Sequence, residues 1–339
     1  MTVLRSLPAR LLWLPLLACA VALSAQQPAA PAGSASAPAA GAARGAGPGR
    51  GGPQTIPPGG FFFIQLSDTQ FGFSNNDIDF VQDTVNAEFA IATVNRLKPA
   101  FVIVTGDLVN KPGDAAQMAE YRRITAKLDP SIPLYNVSGN HDIENEPTAA
   151  SLAAYRKAVG PDYYTFRFGS LLGIVLNSTV IHTPTQVPGD LQAQDRWLRA
   201  ELSKPRPDGV RHVVVFQHHP YFLEKADEAD QYFNVPLVRR APMLDQFRGA
   251  GIQLLVSGHL HRSTEGTDAG LTSIVTGPVG RPLGGQSGFR AFVVTDDAIT
   301  SRYYGLGEMP YRIGPAAARG QGPARGGAAP AAAPSSPVR

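Results

Sequence analysis

The sequence predicts an α/β fold, a four-layer sandwich in which two mixed sheets pack together and helices cover their outer faces. Between residues 61 and 304, short apolar runs rich in Phe, Ile and Val alternate with segments of helical period. This order is expected of strands joined by helices. The runs lack polar alternation, which indicates strands buried on both faces. No internal repeat is present, so two packed sheets flanked by helices are the simplest architecture.

In the first half, each apolar run ends in Gly or in polar residues. The first helix follows Asn76-Asp77, and its period predicts a buried face formed by Val81, Val85, Phe89 and Leu97 before Pro99 ends it. The predicted strands are residues 61–66, 101–104 and 134–137, and the second predicted helix is residues 117–128.

In the second half, the pattern is less regular. A hairpin is predicted from two runs joined by Gly169-Ser170, and further strands alternate with two helices. The predicted strands are residues 164–168, 172–177, 213–216, 254–256, 272–275, 289–294 and 299–304, and the predicted helices are residues 192–202 and 243–248.

Composition divides the 339 residues into a globular part and two flanks. Gly, Pro and Ala gather in residues 26–60 and 311–339, which hold few aromatic or β-branched residues. Such segments bury too little apolar surface to offset the entropy lost on ordering. We therefore expect a disordered linker, one domain over residues 61–310, and a disordered tail.

The N-terminus has the layout of a secretory signal peptide over residues 1–25. Arg5 and Arg10 precede an apolar run over residues 11–23, and small residues follow. The run is shorter than the ~20 residues of a membrane-spanning helix. The prediction is an exported protein, periplasmic or secreted, with no transmembrane segment in the mature chain. A lipid anchor on Cys19, the single cysteine, is the alternative.

The charge balance argues against nucleic acid as a partner. Eight of the 30 basic residues and none of the 27 acidic ones lie outside residues 61–310, which leaves 22 basic against 27 acidic residues in the domain. A nucleic-acid-binding domain is expected to carry a basic face. We therefore expect no nucleic acid binding.

Metal-ligating residue types follow five predicted strands. Because sites in open α/β sheets lie at the carboxyl ends of the strands, these segments are expected to converge. Mixed nitrogen and oxygen donors without thiolate suit Mn, Fe, Zn or Ni, and a carboxylate can bridge two such ions. The candidate ligands are Asp68, Asp107, Asn140, His218, His259 and His261.

The same residues carry a family resemblance. Five blocks occur in the order that marks calcineurin-like metallophosphoesterases, and the likeness spans residues 61–304. Within that superfamily the chain looks most like a calcineurin-like phosphoesterase domain-containing subgroup described as Ser/Thr protein phosphatases. The blocks are Asp68-Thr69-Gln70, Gly106-Asp107-Leu108-Val109-Asn110, Gly139-Asn140-His141-Asp142, His218-His219-Pro220 and Gly258-His259-Leu260-His261.

The resemblance implies a role for each position. Asp68 and His261 would hold a first metal, and Asp107 would bridge to a second metal held by Asn140, His218 and His259. His141 would stabilise the phosphoryl group or protonate the leaving oxygen. Gln70 stands where a His ligand is usual, which implies a weaker first metal or a harder ion such as Mn or Mg. The cofactors implied are two divalent ions, Mn, Fe or Zn.

Other polar residues are assigned on their own surroundings. Arg281, in a Gly-rich loop, is a candidate phosphate contact because Arg suits phosphate recognition. Turn or capping roles are expected for Asn110 and Asp142. The remaining histidines, His182, His212 and His219, are expected to be structural.

Three functions are compatible with the sequence. The first is an exported metal-dependent phosphatase that hydrolyses phosphomonoesters, small molecules or phosphoproteins, by a metal-bridging hydroxide. The second is a phosphodiesterase acting on cyclic nucleotides or other diesters, because one core serves both reactions. The third is a metal-binding envelope module in which Gln70 has removed catalysis.

Overall fold

The structure, a computed structural model, describes residues 56–314. The predicted signal peptide, Cys19, most of the predicted linker and most of the predicted tail lie outside the described residues. Within them, no helix is long and apolar enough to cross a bilayer. The described fold is built on eleven strands in two sheets.

The first sheet is mixed and has five strands in the order β11-β10-β1-β2-β3. Strands β1, β2 and β3 run parallel, whereas β10 is antiparallel to both β1 and β11. The parallel strands therefore end at one edge. The bounds are Phe61–Leu66 for β1, Val102–Thr105 for β2, Leu134–Val137 for β3, Gly288–Val294 for β10 and Ile299–Gly305 for β11.

The second sheet is also mixed and has six strands in the order β4-β5-β6-β7-β9-β8. Its four central strands are parallel, and each edge strand is antiparallel to its neighbour. The bounds are Tyr164–Phe168 for β4, Leu171–Val175 for β5, His212–Phe216 for β6, Leu254–Ser257 for β7, Thr264–Asp268 for β8 and Leu271–Val275 for β9.

Seven helices accompany the sheets in the described residues. Three of them (α1, α2 and α4) pack with the first sheet, and α6 and α7 pack with the second. The bounds are Val81–Leu97 for α1, Ala115–Thr125 for α2, Asn140–Ile143 for α3, Ala149–Ala158 for α4, Ser178–His182 for α5, Pro188–Ser203 for α6 and Leu237–Gly249 for α7.

Three apolar cores separate the layers. One lies between the two sheets and is rich in stacked aromatic rings such as Phe63, Phe101 and Phe292. The other two lie between each sheet and its helices. Three cores require four layers, so the predicted sandwich of two mixed sheets is confirmed.

The predicted buried face of α1 is wrong at three of its four positions, and only Leu97 is half-buried and packs against the core of the first sheet. Val81, Val85 and Phe89 are all exposed, at 66%, 55% and 47% of their surface. The helix instead buries the opposite side, through Ala87, Ala90, Ile91 and Val94. The apolar stripe formed by Val81, Val85 and Phe89 is left facing outward. Apolar period alone gave the wrong side because both sides are apolar.

Several elements differ from the sequence prediction. Strand β8 was missed because its sequence, TEGTD, has no large apolar residue, as suits an edge strand. Helix α7 begins earlier than predicted because it contains Pro242 without ending there. The helices α3, α4 and α5 were also not predicted. The short helix α3 is the one that matters for the site, because it begins at Asn140.

Candidate metal centre

Polar residues at the ends of strands from both sheets meet between the two sheets. In the first sheet, Asp68, Asp107 and Asn140 follow β1, β2 and β3 within three residues. In the second sheet, His218 follows β6 and His259 follows β7. All are buried, so the convergence predicted from the order of strands is present in the structure.

Two groups of ligand-type atoms share one carboxylate. Asp68, Asp107 and His261 form one group, and Asp107, His218 and His259 form the other. Within each group one ligand atom of every residue lies within 4.8 Å of the others. Because Asp107 belongs to both groups, its carboxylate would be the shared ligand if two cations were held here.

The second group is the tighter one. Nε2 of His218 lies 3.2 Å from Oδ2 of Asp107 and 3.0 Å from Oδ1 of Asn140. The same nitrogen lies 3.1 Å from Nδ1 of His259. In the first group, Nε2 of His261 lies 3.5 Å from Oδ1 of Asp68.

Backbone carbonyl groups fix which nitrogen each imidazole presents. Nδ1 of His218 donates to the carbonyl of Thr105 at 2.8 Å. His261 Nδ1 donates to the Arg281 carbonyl at 2.7 Å, and His259 Nε2 faces the Tyr232 carbonyl at 3.3 Å. A carbonyl only accepts, so the other nitrogen of each neutral ring carries a lone pair toward the centre. Such outer partners set the tautomer of metal-ligating histidines.

With every imidazole neutral, the cluster consists of acceptors and lacks donors. With the protons fixed as above, lone pairs of His218 and His259 face each other and the oxygens of Asp107 and Asn140. Electron pairs packed this closely repel unless positive charge lies among them. The donor set therefore fits divalent cations, with oxygen and nitrogen ligands and no thiolate.

The same crowding shifts the pKa values of the clustered groups. Burial opposes a charge on His218, but the adjacent Asp107 outweighs it and raises the pKa of the imidazole to about 9. Burial alone would raise the pKa of Asp107, but the imidazoles of His218 and His141 hold it below the ordinary value. For His259, burial and the neighbouring His218 lower the pKa well below normal. A cation bound by His218 would displace the proton that this imidazole holds.

The backbone at the ligands is strained. Asp68, Asp107, His259 and His261 all have positive φ angles, of 47°, 50°, 69° and 52°. Residues other than Gly rarely adopt this left-handed region, and such strain clusters at functional sites. Gln70 also has a positive φ angle, so these angles occur in two pairs, at Asp68 and Gln70 and at His259 and His261. In each pair, one short turn carries two of the candidate ligands.

His141 lies beside the carboxylate of Asp107, on the first turn of α3. Its backbone N–H donates to Oδ1 of Asp107 at 2.9 Å, and its Nδ1 donates to the carbonyl of Asn110 at 2.7 Å. The other ring nitrogen is left for a ligand, on a side chain that is only partly buried. Asp142 holds this segment by accepting from the N–H groups of Gly139 and Leu108. Its capping role agrees with the sequence analysis.

Gln70 and Arg281 occupy different positions around the first group. Oε1 of Gln70 is buried and has no hydrogen-bond partner among residues 56–314. Arg281 contributes its carbonyl to His261, while its guanidinium lies 5.9 Å from the ring centre of Phe73. That ring in turn packs 4.8 Å from the His261 ring. Contact of Arg281 with phosphate, and ligation by Gln70, stay predictions.

Two aromatic residues beside the second group were not predicted. Tyr232 and Phe233 pack against the ring of His259 at 5.0 and 5.6 Å between centres. The Tyr232 hydroxyl lies 3.4 Å from Nδ2 of Asn140. Their segment, between β6 and α7, is held at its base by the buried guanidinium of Arg240, which bonds to the Tyr221 carbonyl. Two adjacent aromatic residues in an acidic segment are the only sequence signal that pointed to them.

The remaining histidines lie around the centre or far from it. His219 is buried, with its ring 4.2 Å from that of His259 and 4.9 Å from that of His182. Its Nδ1 pairs with Ser178. His212 lies at the opposite end of β6 and bonds to the Thr295 carbonyl. Neither His182 nor His212 belongs to the two groups of ligand atoms.

A family model for calcineurin-like phosphoesterases matches residues 63–263, which include every candidate ligand. The chain belongs to the calcineurin-like phosphoesterase family. As a member of this family, it is a metal-dependent phosphoester hydrolase, and the predicted resemblance is confirmed.

Individual relatives agree with this assignment. The serine/threonine-protein phosphatase CPPED1 of Homo sapiens is 39% identical over 268 residues, covering 74% of this chain and 85% of that protein. A cAMP/cGMP dual specificity phosphodiesterase of Mycobacterium tuberculosis is 31% identical over 181 residues, covering 52% of each chain. A dimetal phosphatase from Danio rerio has the same fold, with a TM-score of 0.53 at 17% identity over 73% of this chain and 96% of that chain.

Proposed function

We propose that this calcineurin-like phosphoesterase is an exported phosphatase that hydrolyses phosphomonoesters at a two-cation site. The observation that carries the proposal is the pair of ligand groups joined by Asp107. The first position would be held by Asp68, Asp107, His261 and Gln70, and the second by Asp107, Asn140, His218 and His259. Mn, Fe or Zn fits these donors.

The residues divide the work of in-line phosphoryl transfer. Two divalent cations held there would supply a hydroxide from water near neutral pH and neutralise the phosphoryl oxygens. Asp107, which belongs to both ligand groups, would be shared by the two positions. His141, held by the Asn110 carbonyl through Nδ1, presents Nε2 to the substrate. When the ring is protonated, Nε2 can give its proton to the leaving oxygen.

The choice of a phosphomonoester rests on similarity. The CPPED1 phosphatase covers 74% of this chain at 39% identity, whereas the cyclic nucleotide phosphodiesterase covers 52% at 31%. By the same similarity, phosphoserine and phosphothreonine in proteins are the proposed substrate class. Cyclic nucleotides and other diesters are the second candidate, favoured by the phosphodiesterase relative.

Purified protein separates these candidates. The protein, stripped of metal and refilled with Mn, Fe or Zn, is assayed on p-nitrophenyl phosphate, bis-(p-nitrophenyl) phosphate, cyclic AMP and a phosphoserine peptide. The monoester and the peptide are expected to be hydrolysed faster than both diesters under one metal. The reverse order would establish the diesterase, and silence toward all four would contradict hydrolysis at this site.

Variants tie the activity to the site. Asp107→Asn and His259→Ala are expected to lose turnover, because the first replaces one oxygen of the shared carboxylate with an NH2 group and the second removes an imidazole ligand. His212→Ala is the control, because its imidazole bonds to the Thr295 carbonyl outside the centre. Full activity in Asp107→Asn would refute the assignment.

Export is proposed from the N-terminal pattern of residues 1–25. Expression of the full chain in a bacterial host, followed by fractionation and mass measurement of the mature protein, tests it. Cleavage near residue 25 and recovery outside the cytoplasm are expected. A mature protein that begins with a lipid-modified Cys19 would establish the lipoprotein alternative, and an uncleaved cytoplasmic chain would contradict export.

A further inference from the structure

The two ends of the Gln70 side-chain amide lie in different surroundings. Nε2 donates to Oδ1 of Asn110 at 3.2 Å. Oε1 is buried without a partner among residues 56–314. A buried acceptor left unpaired costs about 1–3 kcal/mol. The amide therefore keeps its carbonyl oxygen free at a cost, two residues after Asp68.

A carboxylate determines the orientation of the Asn110 amide. Asp77 Oδ1 accepts from Nδ2 of Asn110 at 2.9 Å. An ionised carboxylate has no proton to donate, so the NH2 end of Asn110 must face it. Oδ1 of Asn110 must then face Gln70.

The orientation of Asn110 in turn determines that of Gln70. Oδ1 of Asn110 only accepts, so Gln70 must present its NH2 end. If the Gln70 amide were reversed, two carbonyl oxygens would face each other at hydrogen-bond distance. Asp77 thus fixes the orientation of the Asn110 amide, and Asn110 fixes that of the Gln70 amide. Within the described residues, Oε1 of Gln70 is the end that is left without a hydrogen bond.

Gln117 holds the other side of this arrangement. Its Nε2 donates to the same oxygen of Asp77 at 2.7 Å. Its Oε1 accepts from the backbone N–H groups of Asn110 and Lys111 at 3.0 and 2.8 Å. Both ends of Gln117 are therefore also assigned, and the Asn110 backbone is fixed while its side chain bridges to Gln70.

We propose that Asp77 and Asn110 are positioning residues that make Oε1 of Gln70 a ligand of the first cation. The proposal rests on the two-cation site proposed above and goes beyond it by assigning how an amide serves there. An amide oxygen can ligate a divalent cation, whereas an amide NH2 group repels it. This relay of hydrogen bonds, from Asp77 through Asn110 to Gln70, ensures that the carbonyl oxygen is the end of the Gln70 amide that is available to the cation.

The proposal also distinguishes the two metal positions. The first has oxygen donors from Asp68, Asp107 and Gln70 with the single nitrogen of His261. The second has two oxygen and two nitrogen donors. Because harder ions prefer oxygen, Mn is expected to favour the first position more than Zn does.

A double-variant cycle on metal binding tests the relay. Asn110→Leu removes the bridge and lets the Gln70 amide reverse, while the Asn110 carbonyl that orients His141 remains. Gln70→Glu places an oxygen at both ends of the side chain, so that no relay is needed. Asn95→Leu is the matched control, because Asn95 bonds to Lys127 and Asp129, outside the centre.

The measurement is Mn²⁺ affinity and stoichiometry of the full protein, by competition with a chelating dye. Loss of a residue that orients a metal ligand typically costs about 10- to 100-fold in affinity. Asn110→Leu is expected to weaken one of two Mn²⁺ sites by that factor in the parent protein. In the Gln70→Glu variant one carboxylate oxygen faces Oδ1 of Asn110 and repels it, so the same substitution there is expected to weaken neither site. Asn95→Leu is expected to match the parent protein.

The outcomes separate the two proposals. A parent protein that binds two Mn²⁺ ions, with unchanged affinity in Asn110→Leu, would overturn the relay alone. An equal loss of affinity in the parent protein and in the Gln70→Glu variant would also overturn it, because a purely structural role of Asn110 has that signature. A parent protein that binds at most one ion would overturn the two-cation site and the relay together.

Discussion

The hydroxyl of Ser67 donates to Oδ2 of Asp68, the residue next to it in the chain. This bond is the last link of a buried series that begins at the guanidinium of Arg290. Nε of Arg290 donates to the Thr276 hydroxyl at 3.0 Å, and that hydroxyl donates to Oε1 of Gln65 at 2.6 Å.

The series continues toward the metal centre in the same direction. Nε2 of Gln65 donates to the Thr105 hydroxyl at 2.8 Å, which donates to Ser67 at 2.8 Å. Arginine only donates and a carboxylate only accepts, so every bond is oriented toward Asp68. Bonds aligned in this way strengthen one another in a low-dielectric interior. The series ends on Oδ2, whereas Oδ1 accepts from the backbone N–H of His259 at 3.2 Å and lies 3.5 Å from Nε2 of His261.

Thr276→Val is expected to destabilise the protein. Valine keeps the shape of threonine but leaves Oε1 of Gln65 buried and unpaired, which costs about 1–3 kcal/mol. Urea unfolding of the metal-free protein measures the loss. Thr276→Ser keeps the hydroxyl and is the control. Equal stability of the Val and Ser variants would contradict a role for this hydrogen bond.

Gly258→Ala is expected to disturb the first metal position. A Cβ at Gly258 would overlap Oγ of Ser67 and lie 2.7 Å from Oδ2 of Asp68, so the carboxylate must move. Overpacking of this kind costs about 1–3 kcal/mol. Metal content after dialysis and the thermal unfolding temperature measure the effect.

The matched control for that substitution lies in α6. A Cβ at Gly189 meets no atom within 4 Å. Alanine favours a helix by about 0.5–1 kcal/mol relative to glycine, so Gly189→Ala should hold or raise the unfolding temperature. Full metal content in Gly258→Ala would show that the close approach at Gly258 is not required.

Tyr232 is expected to act through its ring more than through its hydroxyl. The ring packs on His259, whereas the hydroxyl bonds to Asn140 and Asn145 are both long, at 3.4 Å. An aromatic pair contributes about 0.5–1.5 kcal/mol, equivalent to at most about 10-fold in kcat/KM. Tyr232→Phe should therefore stay near the parent enzyme, and Tyr232→Ala should lose most of that factor. A larger loss of kcat/KM in Tyr232→Phe than expected would show that the hydroxyl carries the role instead of the ring.

Removal of metal is expected to lower the unfolding temperature. The folded state alone assembles both ligand groups, and a ligand present at about 100 times its Kd adds about 2.7 kcal/mol of stability. For a domain of this size, that corresponds to roughly 5–10 °C. Calorimetry before EDTA treatment, after it, and after Mn²⁺ is restored measures the change. An unfolding temperature that ignores EDTA would contradict cation binding by these residues.

The sequence was sufficient to predict the fold and the convergence of the strand ends, for a physical reason. A polar residue directly after an apolar run, such as Asp68 or Asp107, is expected at the carboxyl edge of a sheet. The strands are short, so the position along the chain determines the position in space.

The parts that failed depend on contacts between distant segments. The outward face of α1 could not be chosen because Val85 and Ala87 both belong to plausible apolar sides. Tyr232 lies in a segment without regular structure, so no period relates it to His259. Asn110 looked like a turn former, and its bond to Gln70 joins residues 40 positions apart.

The ligands from the two sheets also bear on the order of folding. Asp68 and His259, whose contact closes the centre, are 191 positions apart in the chain. A cation at the proposed site would not be captured with full affinity until both sheets have formed and docked, because neither sheet alone supplies a complete donor set. Metal capture is then a late event, and its reversal must precede separation of the sheets. The cations would therefore stabilise the protein kinetically, because they would slow unfolding far more than they speed folding.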